Sequence, residues 1–186
     1  MDADALSVDA RGAKTFVAVA LVALLGALAA PAAHSGKASS HVALSSLESG
    51  VLAGLNKIRV LHGLQPVTIS ARLTASAAQH SKEMGTDGYF EHNSQDGTAF
   101  WKRINRWYGQ TGYGYWSVGE NLLWSSPEVD PAGAMQLWMK SPEHRANIHR
   151  ARWREIGVSA QHFTAAPGMY KGLEVTIITT DFGVRR

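Results

Sequence analysis

The chain has 186 residues and a formal net charge of +3 at pH 7, with 45% hydrophobic and 18% charged residues. These proportions are ordinary for a globular protein, and the length fits one domain with a short extension. Cysteine is absent, which excludes disulfides and thiolate metal sites and leaves His, Asp and Glu as candidate metal ligands. A domain of this size can fold without crosslinks.

Residues 1–33 are predicted to be a signal peptide. Arg11 and Lys14 precede an uncharged run over residues 15–33, and Ala30-Pro31-Ala32 near its end fits an A-x-A cleavage pattern. About 20 apolar residues could also span a bilayer as a retained anchor, but the short apolar core and the proline favour cleavage. In either case the rest of the chain crosses the membrane.

The segment after the predicted signal peptide is small and polar. We therefore expect the mature chain to begin between Ala30 and Ser35, with residues 34–46 forming a flexible leader. The folded domain is predicted to span residues 47–186.

Two amphipathic helices open this domain. The first is predicted from near Leu47 to a stop at Gly63, and its apolar residues recur every three or four positions. The second, over about residues 71–85, follows Ser70 as a candidate N-cap. His80 lies on the apolar stripe of the second helix, so it is interpreted as a hydrogen-bonded packing residue.

A loop, a third helix and a strand come next. His92 lies in the loop 89–97, the helix is predicted over about 98–108, and a Gly- and Tyr-rich segment leads to a strand over 117–124. Glu120 in that strand alternates onto the same face as its apolar neighbours two residues away. A carboxylate on a buried face needs a partner, which makes Glu120 a candidate site residue.

The C-terminal third is predicted to contain two more helices and two closing strands. A fourth helix is expected to open at Pro127 and to bury Ala134, Leu137 and Trp138. A short fifth helix is expected to open at Ser141, with a hydroxyl cap followed by proline. His144 would then lie in the first turn, where the helix dipole disfavours the imidazolium. Strands are predicted over about 156–163 and 170–182.

A cluster of arginines follows the fifth helix. Either it is a solvated face, or it contacts anionic envelope polymers or lipid headgroups. Its members are Arg145, Arg150, Arg152 and Arg154.

Several short segments, in this order along the chain, resemble one known family. They are Leu55-Asn56-Lys57-Ile58-Arg59, Ala77-Ala78-Gln79-His80, Phe90-Glu91-His92, Arg103, Gly119-Glu120-Asn121, Trp138-Met139, Ser141 to Ile148, and Ile156-Gly157-Val158. The ordered set resembles the CAP superfamily of cysteine-rich secretory, antigen-five and pathogenesis-related proteins, in its bacterial SCP-like extracellular branch. The resemblance covers about residues 47–186 and implies an α+β fold, a three-layer α-β-α sandwich around a short, mostly antiparallel sheet with a central cleft.

The resemblance also implies a site. The family cleft usually carries two histidines and two acidic residues, and His92, Glu120 and His144 match three of these places. The fourth place is Ser141 here, so the tetrad is incomplete. The expected cleft residues are therefore His92, Glu120, Asn121, Ser141 and His144. His92 and His144 are the expected ligands of a divalent metal, with Zn²⁺ as the expected ion.

Three functions are compatible with these residues. The first is a secreted, periplasmic or cell-envelope binding module for a divalent metal and for lipid, sterol or envelope polymer, with no nucleic acid as partner. The second is a metal-dependent hydrolase of peptide, glycan or phosphodiester bonds with Glu120 as general base, and the third is a purely structural domain. No G-x-S-x-G or H-E-x-x-H motif supports a serine hydrolase or a zincin, and the incomplete tetrad favours the binding module.

Overall fold

The structure is a computed structural model that describes residues 6–10 and 42–186. The described elements are β1 (Leu6–Ala10), α1 (Ser46–Leu61), β2 (Thr68–Ile69), α2 (Ala71–Asp87), α3 (Phe100–Trp107), β3 (Trp116–Ser125), α4 (Pro131–Lys140), α5 (Pro142–Ile148), β4 (Glu155–Phe163) and β5 (Val175–Arg185). A single 3₁₀ turn, Gly168–Tyr170, separates the last two strands.

The strands form one sheet in the order β1-β3-β5-β4-β2. The pairs β1–β3, β3–β5 and β4–β5 are antiparallel, and only the two-residue β2 runs parallel to its neighbour β4. The prediction of a mostly antiparallel sheet is therefore confirmed.

Helices cover both faces of the sheet, which confirms the three-layer sandwich. The core on one face joins α2 and α3 to the sheet, and the core on the other face joins α1 and α4 to it. Strand β5 shows the alternation: Ile177 packs in the core that contains Met84 of α2, whereas its neighbour Ile178 packs in the core that contains Trp138 of α4.

Helix α2 lies very close to the sheet because β4 carries a glycine beneath it. A Cβ atom on Gly157 would lie 2.0 Å from the carbonyl carbon of Leu73, a distance no side chain can occupy. Any larger residue would push α2 outwards. Since His80 belongs to α2, this close approach sets how near His80 comes to the middle of the sheet.

The start of the fourth helix differs from the prediction. Helix α4 begins at Pro131, not at Pro127, and the side chain of Asp130 accepts a hydrogen bond of 2.6 Å from the backbone N–H of Gly133. Both prolines suit a first helical position. Ser126 and Asp130, the residues before them, are both good N-cap types, and in the structure it is Asp130 that caps the helix.

The predicted signal peptide and leader lie mostly outside the described residues. Of residues 1–33, the structure describes only β1, which pairs with β3. Within the described ranges, no helix combines the length and the apolar character that crossing a bilayer requires. The assignments of residues 1–33 and 34–46 stay predictions.

Candidate functional site

Glu120 lies at the centre of the candidate site, on the face of β3 that packs against α2 and α3. It is fully buried. One carboxylate oxygen accepts a hydrogen bond from His92 Nδ1 at 2.8 Å, and the other accepts from Arg103 Nη2 in a buried ion pair. A buried carboxylate requires partners, and those of Glu120 are the guanidinium of Arg103 and the imidazole of His92.

These neighbours keep Glu120 ionised. Burial by itself raises the pKa of a carboxyl group, but the charge of Arg103 and then the neighbouring His80 and His92 outweigh it and hold the pKa of Glu120 below its ordinary value. Arg103 also donates from Nη1 to the backbone carbonyl of His92 at 2.9 Å. One guanidinium thus fixes both the carboxylate and the loop that carries His92.

The hydrogen bond to Glu120 determines which nitrogen of His92 is available. Because the carboxylate accepts, Nδ1 carries the donated proton, and in the neutral imidazole Nε2 carries the lone pair. Among the described residues, Nε2 has no hydrogen-bond partner, although the side chain is only 8% exposed. A metal-binding histidine commonly donates its other ring N–H to a carboxylate in this way.

His80 has the packing role predicted for it. The side chain is fully buried, and Nε2 donates to the backbone carbonyl of Glu91 at 2.9 Å, just before His92. The same nitrogen lies 4.0 Å from Glu120. His80 therefore holds the loop that carries His92 and lies close to the carboxylate of Glu120.

Helix α5 is fastened to the other face of β3. Asn121 Nδ2 donates to the backbone carbonyl of His144 at 3.2 Å, and Asn147 Nδ2 donates to Asn121 Oδ1 at 2.9 Å and to the backbone carbonyl of Glu120 at 3.3 Å. His144 lies in the first turn of α5, as predicted, and is 6% exposed. Asn121, which follows Glu120 in β3, thus holds helix α5 and its His144 against the sheet.

The predicted site residues are brought together to different degrees. His92 and Glu120 touch, Asn121 and His144 are joined through the backbone of α5, and Ser141 is the N-cap of α5 with its hydroxyl donating to Glu143 at 3.3 Å. Within residues 6–10 and 42–186, no group of three or more His, Asp or Glu side chains is arranged to hold a metal ion.

Three neighbours of the site were not among the predicted residues: Arg103 as the partner of Glu120, Asn147, and Asp181. Asp181 lies directly opposite Glu120 on β5 and is fully buried. Burial, and then the charge of Glu120, raise the pKa of Asp181 well above its ordinary value. The charge of Arg103 and then Ser76 oppose this rise in pKa, but neither oxygen of Asp181 has a hydrogen-bond partner among the described residues.

Replacing Asp181 with asparagine should make stability less dependent on pH. A carboxyl group whose pKa is raised by folding costs stability as pH rises above its unfolded value, about 3.9. Asparagine has almost the same shape and does not titrate. Relative to wild type, Asp181→Asn should therefore gain stability by about 1.4 kcal/mol for each pH unit over which Asp181 is ionised only in the unfolded chain.

Urea denaturation at pH 4.5 and pH 7 measures this gain. Thr179→Val, a buried substitution two residues earlier on β5 that adds no titratable group, is the matched control and should show the same difference from wild type at both pH values. An Asp181→Asn difference that does not grow between the two pH values would contradict a neutral Asp181.

Comparison with known proteins bears on this arrangement. A model of the Cysteine-rich secretory protein family, CAP, matches residues 52–170. The chain is 29% identical over 120 residues to the Bacillus subtilis protein YkwD, covering 64% of this chain and 44% of YkwD. It is 28% identical over 154 residues to the Bacillus subtilis membrane protein YlbC, covering 82% of this chain and 42% of YlbC. The chain thus spans under half the length of these relatives.

Solved structures share the fold. An outer surface protein of Borrelia burgdorferi matches with a TM-score of 0.56 at 16% identity, covering 73% of this chain and 90% of that protein. An extracellular protein containing an SCP domain from Bacillus anthracis matches with a TM-score of 0.54 at 25% identity, covering 78% of this chain and 45% of that one.

The family match covers more than half of the chain, and its range includes the loop of His92, the strand of Glu120 and the helix of His144. The sandwich and the order of its motifs agree with that match. The chain therefore belongs to the cysteine-rich secretory protein (CAP) family, in its bacterial branch.

Proposed function

We propose that the chain is an exported CAP-domain binding module whose cleft beside Glu120 binds a divalent metal ion on His92 and His144. One observation carries the metal proposal: His92 is held by Glu120 through Nδ1, while Nε2 has no hydrogen-bond partner among the described residues. Imidazole nitrogens suit Zn²⁺, and a site with few protein ligands leaves positions for water or for a ligand.

Export is supported by the predicted signal peptide and by one structural neighbour. The Bacillus anthracis protein that contains an SCP domain is described as extracellular. Lipid, sterol or cell-envelope polymer is the ligand class that we propose for an exported domain of this kind, with the metal ion as its point of attachment.

The arrangement of Glu120 favours binding over hydrolysis. A general base works best when its pKa is near the working pH and when it can reach water. Glu120 is fully buried, both of its oxygens are engaged by Arg103 and His92, and its pKa is held low. It is suited to orienting His92, so metal-dependent hydrolysis is the weaker proposal.

Calorimetric titration with Zn²⁺ tests the metal site. We expect His92→Ala to weaken the affinity at least 100-fold, because the ligand nitrogen is lost. Glu120→Gln should weaken it less, by about 10-fold to 100-fold, because an orienting partner is replaced. The affinity should also fall between pH 7.5 and pH 5.5, since protons compete with the metal for imidazole nitrogen.

His162→Ala is the matched control. His162 is also paired with a carboxylate, Glu174, at 3.0 Å, but it is 40% exposed. Its loss should leave the Zn²⁺ affinity unchanged. Equal affinities in wild type and His92→Ala, with both proteins folded by circular dichroism, would refute the proposed site.

A further inference from the structure

We propose that the domain also binds an extended polypeptide, which adds as an antiparallel strand to the edge of β3 at residues 116–120. In this structure, β1 of the chain itself occupies the position that the polypeptide would take. The inference rests on the proposed function in one respect, because the edge lies beside the same residues, but it requires no metal ion.

The backbone N–H and C=O groups of β3 point alternately towards β5 and towards the opposite side of the strand. Tyr115, just before the strand, exchanges two hydrogen bonds with Arg186, of 2.8 and 3.0 Å. In an antiparallel pair such exchanges recur at every second residue. The odd-numbered residues of β3 therefore direct their N–H and C=O groups to β5, and the even-numbered residues direct theirs to the edge.

Helix side chains cover one half of this edge. Trp138 Nε1 donates to the backbone carbonyl of Leu122 at 3.0 Å, and Asn147 Nδ2 donates to that of Glu120 at 3.3 Å. The other half is covered by β1, with Leu6 opposite Glu120, Val8 opposite Val118, and Ala10 opposite Trp116. The two halves meet at Glu120, and residues 116–120 present backbone N–H and C=O groups with which an added strand can pair.

This ladder lies at the candidate site. Leu6 is directly opposite Glu120, and helix α5, which carries His144, packs beside β1. On the opposite face of β3, Glu120 contacts His92. A strand on this edge therefore lies beside Glu120 and beside the helix that carries His144, so a polypeptide that reaches it meets a row of backbone donors and acceptors. Those groups recognise a polypeptide backbone.

Export would leave the edge without β1. β1 precedes the apolar run of the predicted signal peptide, so membrane insertion and cleavage of that peptide would keep β1 apart from the exported domain. An edge strand with unpaired N–H and C=O groups is a template for another strand. In the full chain in solution, β1 competes with any external peptide at the high effective concentration of a tethered ligand.

The test uses the full chain, residues 1–186, in two proline variants. Val8 is opposite Val118, an even-numbered residue of β3. By the alternation above, this is a hydrogen-bonded pair, so Val8→Pro removes an N–H from the ladder and should release β1. Ser7 directs its N–H away from β3, where proline is tolerated at a sheet edge, so Ser7→Pro is the matched control. The probe is a fluorescent peptide with the sequence of residues 6–10, followed by anisotropy in buffer containing EDTA.

We expect Val8→Pro to bind the peptide at least tenfold more tightly than wild type or Ser7→Pro does. Methylation of the peptide at the nitrogen equivalent to Val8 should abolish the gain. Equal binding by Val8→Pro and Ser7→Pro, or equal binding of the methylated peptide, would overturn the inference. So would self-association of Val8→Pro without peptide uptake, because a second copy would then be the occupant.

The two proposals fail separately. EDTA removes the metal ion, so peptide binding under these conditions says nothing about His92. Conversely, Zn²⁺ binding that depends on His92, together with no peptide uptake by Val8→Pro, would leave the metal site intact and remove only the strand proposal.

Discussion

Replacing Trp138 with alanine should lower the free energy of unfolding by about 3–5 kcal/mol. Trp138 is 1% exposed and packs in the core between α4, α1 and the sheet, with Leu55 and Phe182 among the members of that core. Removing the indole leaves a cavity that rigid neighbours cannot fill. The burial of Trp138 is predicted from the sequence and agrees with the structure; the energetic cost stays a prediction.

A second cost adds to the cavity. Trp138 Nε1 donates to the backbone carbonyl of Leu122, and a buried carbonyl left without a donor costs about 1–3 kcal/mol. Water that enters the cavity would relieve part of this. Trp138→Phe should therefore lie between wild type and Trp138→Ala, because it keeps an aromatic ring but loses the donor.

Leu137→Ala is the matched control, measured with Trp138→Ala by urea denaturation. Leu137 is the preceding residue of the same helix and is 45% exposed, so its truncation should change stability by under about 1 kcal/mol. A Trp138→Ala effect as small as that of Leu137→Ala would show that the helix does not bury this face in solution.

Leu137 also shows the limit of apolar periodicity. The sequence predicts Ala134, Leu137 and Trp138 on the inner face of α4, but the buried residues are Ala134, Met135 and Trp138. Positions three and four residues apart are both compatible with one helical stripe. Which of two adjacent apolar residues faces inwards depends on the rotation of the helix against its neighbours, and this is set by tertiary packing.

Local patterns predict the strand of Glu120 and the first-turn position of His144, and both agree with the structure. The three-layer arrangement follows from the family resemblance, since periodicity alone indicates only a mixture of helices and strands. Asp181 could not be predicted as a neighbour of Glu120 from the residues alone, because their contact depends on the register between β3 and β5.

Arg103 could have been found from the sequence. It is buried with Phe100 and Ile104 on the inner stripe of α3, and a cation on an apolar stripe requires a buried acceptor. Glu120 on the apolar face of a strand requires a buried cation or donor for the same reason. Pairing these two buried charges would have predicted the ion pair between Arg103 and Glu120 from the sequence.

Replacing Arg103 with methionine should destabilise the domain by about 3–5 kcal/mol at pH 7, because the buried charge of Glu120 loses its cation. Arg103 is fully buried, and it also donates to the carbonyl of His92. Arg106→Met is the matched control, since Arg106 is an exposed arginine on the same helix. It should change stability by under about 0.5 kcal/mol.

The sign of the pH dependence identifies the ion pair as the cause. In wild type, folding lowers the pKa of Glu120, so this contribution to stability is present above the unfolded pKa, about 4.3, and is lost as pH falls through the lower folded pKa. Without Arg103, burial raises the pKa of Glu120, and protonation then relieves the cost of the buried charge. The deficit of Arg103→Met relative to wild type should therefore shrink between pH 7 and pH 4 in urea denaturation. A deficit of the same size at both pH values would mean that lost packing, and not the charge of Glu120, causes it.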